Sequence, residues 1–107
     1  DGEQSRDFTY VENVVNANLA AVTAPAESAG QVYNIASGAS YSVNELLSAL
    51  VEITGVAVEP ERTPARAGDV KYSVADIRRA QAGLRYEVTV PFREGLERTV
   101  AWFRRPG

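Results

Sequence analysis

One helix is spelled out from end to end in this sequence. Ser42 is a strong N-cap residue, and Glu45 three positions on completes a capping box, in which each side chain bonds the other residue's backbone amide. Val43, Leu46, Leu47, Leu50 and Val51 then fall on one helical face, and Gly55 stands where a left-handed C-cap would end the run. Two further runs carry the same period. Val11, Val14, Val15, Leu19 and Val22 share a face and stop before Pro25, while Phe92, Leu96, Val100 and Phe103 follow Pro91, a residue suited to a helix N-terminus. Asp76 to Ala82 reads as one more short helix, with Ile77 and Ala80 on its inner side.

Between the helices the pattern changes to short strands. Arg6 to Val11 alternates Phe8 and Tyr10 with polar residues, Gln31 to Ile35 forms a second strand-like run, and Val56 to Glu59 a third. Ala24 to Gly30 is a loop, and Ala36 to Tyr41 is a turn of small residues. From Glu61 to Asp69 the chain carries Pro64, Gly68 and two arginines and cannot be regular. The expected fold is α+β: a small mixed domain of about four helices and short strands, spanning residues 1–107 as one unit. Asp1 to Ser5 is polar and turn-rich and reads as the middle of a loop rather than a natural beginning.

Composition narrows the chemistry. With 45% hydrophobic and 23% charged residues the chain is globular in type, although 107 residues bury a small fraction of their surface and are expected to be modestly stable without a partner. There is no cysteine, hence no disulfide or thiolate metal site, and no histidine, the commonest general base and metal ligand. No apolar run has the length to span a bilayer and the opening residues are not signal-like, so a cytoplasmic setting is expected. The net charge is −3, yet seven of the eleven Lys and Arg residues lie from Arg78 onward. Glu87, Glu94 and Glu97 interleave with them, which marks a solvated helix face and not a surface for nucleic acid.

The loops carry the specific signal. Asp1-Gly2-Glu3-Gln4-Ser5-Arg6-Asp7-Phe8-Thr9-Tyr10-Val11, then Val32-Tyr33-Asn34-Ile35-Ala36-Ser37-Gly38, then Pro64-Ala65-Arg66-Ala67-Gly68-Asp69-Val70, then Ala75-Asp76-Ile77-Arg78-Arg79-Ala80, and finally Tyr86 to Phe103 occur in this order across almost the whole chain. In content, order and spacing they resemble the C-terminal, substrate-binding portion of extended short-chain dehydrogenases/reductases of the nucleotide-sugar epimerase/dehydratase type, of the UDP-glucose 4-epimerase-like kind. Asn13 departs from an acidic residue frequent in that family, a change of small cost if the residue caps the helix. Ala36 replaces a frequent glycine, which puts close backbone approach to a ligand there in doubt, and Arg79 stands where lysine is common.

The resemblance implies a nucleotide-diphosphate sugar, a UDP-sugar first, as the ligand. Arg6 and Arg66 would converge on the diphosphate, where forked guanidinium hydrogen bonds fit. Taken alone, Arg6 could instead pair with Asp7 or Glu12. Asp69 would accept from the ribose hydroxyls, or else bond its own turn. Val43 and Phe8 would pack on the ligand or, as their periodicity also allows, in the core. Asn34 is read as structural. No catalytic residue and no metal ligand is assigned to this chain.

The family's NAD(P) cofactor sits on a Gly-x-x-Gly-x-x-Gly turn, and its chemistry uses a tyrosine four residues before a lysine. Neither occurs here: the one lysine is Lys71, and Ala67 stands four before it. The expected function is therefore the nucleotide-sugar-binding part of an NAD-dependent epimerase (an isomerase) or dehydratase, partnered by a Rossmann domain absent from this chain and not catalytic alone. A stand-alone module binding nucleotide-diphosphate sugars and a vestigial interaction domain, pairing with itself as a homo-oligomer or with another chain, are the alternatives.

Overall fold

The computed structural model describes residues 1–64 and 66–105. Its elements follow the order β1 (Ser5–Arg6), α1 (Val11–Val22), a 3-10 turn (Ala26–Ser28), β2 (Tyr41–Ser42), α2 (Val43–Thr54), α3 (Arg78–Leu84) and α4 (Phe92–Phe103). Four helices and one small sheet make this the expected α+β domain.

Helix α2 forms as its local sequence dictates. The Ser42 hydroxyl accepts from the Glu45 amide at 3.0 Å, the Glu45 carboxylate accepts from the Ser42 amide at 3.0 Å, and Gly55 ends the helix at φ 72°. Helix α4 starts behind Pro91, which serves as its N-cap, and packs on α2; its Phe92, Leu96 and Val100 are half-buried, while Phe103 at its far end stays exposed. Phe92 also stacks on Tyr41 with ring centroids 3.9 Å apart and the planes at 11°.

The strands are much shorter than their patterns suggest. β1 has two residues and pairs antiparallel with β2 in the register Ser5↔Ser42 and Arg6↔Tyr41, and on its other edge Ser5 bridges in parallel to Tyr72. Residues 7–11 leave the ladder, and the runs Gln31 to Ile35 and Val56 to Glu59 are irregular. An alternating run becomes a strand only beside another strand, and among the described residues none pairs with these segments. Helix α3 begins at Arg78 rather than Asp76, because the Asp76 carboxylate bonds the Arg78 amide at 3.0 Å and holds the chain outside the helix.

The core is small and joins α1, α3 and the segments between. Ala17, Ala36, Ile77, Ala80, Leu84 and Tyr86 form it, and the Tyr86 hydroxyl donates to the Ala36 carbonyl at 2.7 Å. Asn13 is the one side chain among the described residues that is both large and wholly buried. It caps nothing. Its Oδ1 accepts from the Thr89 and Val90 amides at 3.1 Å each and its Nδ2 donates to the Val90 carbonyl at 2.8 Å, so it straps the approach to α4 onto α1.

Helix α1 presents its apolar stripe outward: Val11, Val14, Val15, Leu19 and Val22 are all exposed, Leu19 at 62% and Val22 at 81%. The molecule is a plate of 51 × 39 × 20 Å, its thin dimension about two helix diameters. Its radius of gyration of 16.5 Å exceeds the ~13 Å of a rounded domain of this length. One face of the plate therefore has no second layer among the described residues.

Candidate functional site

The edge of the small sheet opens into a cleft. Ser5 donates its amide to the Lys71 carbonyl at 2.7 Å, and the Ser73 amide returns a bond to the Ser5 carbonyl at 3.1 Å. The short strand is thus clasped between residues 41–42 and 71–73, and Arg6 and Lys71 reach the same side. A cavity of about 600 Å³ lies there, lined by Arg6, Arg66, Asp69 and Lys71 together with Asp1 and Gln4.

Each wall has a local cause. Arg66 and Asp69 stand at the two ends of one tight turn, closed by the Asp69 amide on the Arg66 carbonyl at 3.3 Å, with Gly68 at φ 83° in the third position. A type II turn needs a residue that tolerates positive φ there, which is the role of glycine. Because the backbone of Asp69 closes the turn, its side chain is left to the cavity. Arg6 is oriented by bonds from Nη1 to the carbonyls of Ser5, at 2.7 Å, and Lys71, at 3.3 Å. Among the described residues neither Arg6 nor Arg66 forms an ion pair, and Glu12 is taken by Arg98 at 3.1 Å. Lys71 pairs with Asp1 at 3.2 Å. The cavity thus carries three cations against two carboxylates in a chain of net charge −3.

A second cavity of about 280 Å³ continues from the first and shares Asp1, Gln4 and Thr63 with it. Val43, Leu46, Leu47 and Leu50 of α2 give it an apolar wall. Gly2 forms its floor at φ 83°, where an added Cβ would overlap the Asn44 and Arg62 side chains. The two cavities make one groove with a basic end and an apolar end.

The structure brings Arg6, Arg66 and Asp69 together at the basic end and puts Val43, half-buried, at the apolar end. Phe8 lies elsewhere, in a separate hollow beside α4, with its ring 5.9 Å from that of Phe92. Ala36 is buried in the core and cannot meet a ligand. Asn34, read as a loop-holding residue, is exposed and makes no hydrogen bond among the described residues. Lys71 and Gln4 are cavity residues that the sequence reading passed over; for Lys71 a signal existed, two positions after Asp69 on the same loop.

The loop-holding role falls to Asp7. Its carboxylate accepts from the amides of Ser37 and Gly38, at 2.8 Å each, from the Ser37 hydroxyl, and from the Ala75 amide at 3.4 Å. Burial pushes its pKa up, but these hydrogen bonds outweigh burial and hold it below the ordinary carboxylate value. Burial and the Asp7 charge together raise the pKa of Tyr86. Away from the groove, three of the seven basic residues from Arg78 onward form ion pairs among the described residues: Arg78 with Asp76, Arg93 with Glu52, and Arg98 with Glu12 and Glu94. Among the described residues no helix is long and apolar enough to cross a membrane, and no three acidic side chains cluster as metal ligands.

The chain is similar to known proteins along nearly its whole length. Residues 1–36 match the model of the NAD dependent epimerase/dehydratase family. A UDP-glucose 4-epimerase of Mycolicibacterium smegmatis is 38% identical over 104 residues, 97% of this chain and 33% of that protein. The crystal structure of UDP-glucose 4-epimerase from Thermotoga maritima with UDP-glucose superposes with a TM-score of 0.89 at 43% identity, covering 97% of this chain and 33% of that one. UDP-glucuronic acid 4-epimerase from Bacillus cereus, in complex with UDP-glucuronic acid and NAD, gives 0.84 at 33% identity, covering 91% and 31%. The chain spans about a third of the length of these relatives.

Proposed function

Since the chain belongs to the NAD dependent epimerase/dehydratase family, we propose that its groove holds a nucleotide-diphosphate sugar, a UDP-sugar in the first instance, for an NAD-dependent sugar-nucleotide epimerase. One observation carries this reading. Arg6 and Arg66, sixty positions apart in sequence, line one cavity with Asp69 between the basic loop and the sheet. Two guanidinium groups that form no ion pair among the described residues offer a diphosphate forked, charge-assisted hydrogen bonds. Asp69 lines the same space, its carboxylate makes no hydrogen bond or ion pair among the described residues, and it can accept from the paired hydroxyls of a ribose. The apolar end beside Val43 suits the flat face of a base.

Epimerisation or dehydration of a bound sugar proceeds through a keto intermediate and needs a nicotinamide to carry hydride. The residues of this chain do not fit that cofactor. Its glycines with positive φ, Gly2, Gly30, Gly38, Gly55 and Gly68, stand singly at separate turns, and none forms a strand–turn–helix cradle for a pyrophosphate. In this reading the chain binds and orients the substrate, and a Rossmann domain elsewhere in a longer protein supplies the cofactor and the acid/base groups. The outward apolar stripe of α1 is the face against which that domain packs, since five large exposed side chains on one helix are costly to leave in water.

Calorimetric titration of the full-length protein with UDP tests the site. Binding that weakens about tenfold in either Arg6→Ala or Arg66→Ala is the expected result. Unchanged affinity in both variants would exclude the groove as the diphosphate site.

A further inference from the structure

We propose that Asp7 is a positioning residue: it sets the Arg6 guanidinium in the basic cavity by fastening the end of β1 to the backbone at Ser37, Gly38 and Ala75. The inference rests on the reading of that cavity as a diphosphate site. Three segments meet at this carboxylate. Oδ1 takes the Ser37 amide and hydroxyl, and Oδ2 takes the Gly38 and Ala75 amides. The turn at Ser37 and Gly38 leads into β2, and Ser73 to Ala75 continues from the strip paired with Ser5. Asp7 thus pins both neighbours of the two-residue strand that carries Arg6, at the point where that strand ends.

The strand needs such a pin. With two residue pairs its own ladder is too short to hold a register. Arg6 takes its direction from the carbonyls of Ser5, on its own strand, and Lys71, so a slip between β1 and the 71–73 strip breaks the second of these bonds and moves the guanidinium relative to the cavity. Asp7 makes no ion pair with Arg6 among the described residues, so its influence runs through the backbone and not through charge. The charged, acceptor-only form is required, because every partner is a donor. Asparagine would turn an N–H towards another N–H.

The test is a double-mutant cycle on the full-length protein, with UDP and uridine as probes. Asp7→Asn is expected to raise the Kd for UDP about fivefold and to have little further effect in an Arg6→Ala background. Uridine, which lacks the phosphates, is expected to bind Asp7→Asn as it binds the parent. A loss that adds fully to that of Arg6→Ala, or one shared equally by uridine, would overturn the proposal and mark Asp7 as a general scaffold residue. If Arg6→Ala itself leaves UDP binding intact, Arg6 has no part in holding UDP and the proposal for Asp7 fails; the diphosphate reading of the groove fails only if Arg66→Ala binds unchanged as well. Should Asp7→Asn not fold, Ser37→Ala takes its place. It removes one of the hydrogen bonds, and a loss of about twofold that disappears without Arg6 is expected. A folded Ser37→Ala whose effect is independent of Arg6 overturns the proposal.

Discussion

Asn13 and Val90, seventy-seven positions apart in sequence, exchange a reciprocal pair of hydrogen bonds, side chain to backbone in both directions. This contact, wholly buried, joins the first and last helices, and the Thr89 amide completes it. Replacing Asn13 by Ala would strand two amides and a carbonyl without water. A loss of about 3 kcal/mol in unfolding free energy is expected from urea denaturation. Asp at this position keeps the acceptor but puts a carboxylate against the Val90 carbonyl, so Asn13→Asp is also expected to destabilise.

Helix α2 depends on its ends. Ser42→Ala removes one half of the capping box, and Gly55→Ala forces a side chain into left-handed geometry at φ 72°. Each is expected to cost about 1 kcal/mol, and because the two sites lie a helix length apart their effects should add. Urea midpoints of the single and double variants check this.

Asp7 makes stability depend on acid. Its pKa in the folded chain lies below the ordinary 3.8 because hydrogen bonds to the charged form outweigh burial. The unfolded chain therefore takes up this proton first as pH falls. The stabilisation is complete above the ordinary value and is lost as pH falls through the lower, folded value. Denaturation curves between about pH 5 and pH 2 should show a shallower fall for Asp7→Asn than for the parent.

The exposed stripe on α1 is the face on which the proposed neighbouring domain would pack. Leu19 is 62% exposed, so Leu19→Asp breaks no packing within the described residues. In the full-length protein the same change is expected to lower stability by about 2 kcal/mol or more, since it would bury a carboxylate against the proposed neighbouring domain. Thermal unfolding followed by calorimetry gives the answer. A melting profile identical to the parent's would show that nothing covers this face.

Where a signal is local, the sequence was enough. The capping box at Ser42, the period of the α2 leucines and the stop at Gly55 all act within a few residues and predicted the observed helix at both ends. Gln31 to Ile35 failed for the opposite reason: alternation expresses a preference for a strand, but a strand forms only beside a partner, and this chain places none there. The stripe of Val14, Val15 and Leu19 correctly marked a helix, yet periodicity cannot say what faces the stripe. At the candidate site, Arg6, Arg66 and Asp69 came from the resemblance in their loops. Asp7 was legible only as a possible partner of Arg6 and Asn13 only as a helix cap, because the groups that they tether lie thirty or more positions away.

The groove is tested most directly by a crystal structure of the full-length protein with UDP, read for the distances from the guanidinium nitrogens of Arg6 and Arg66 to the phosphate oxygens. Both arginines are predicted to lie within about 3.2 Å of the diphosphate, with Asp69 at hydrogen-bonding distance of the ribose. A diphosphate bound outside this groove, with both arginines beyond hydrogen-bonding reach, would contradict the account.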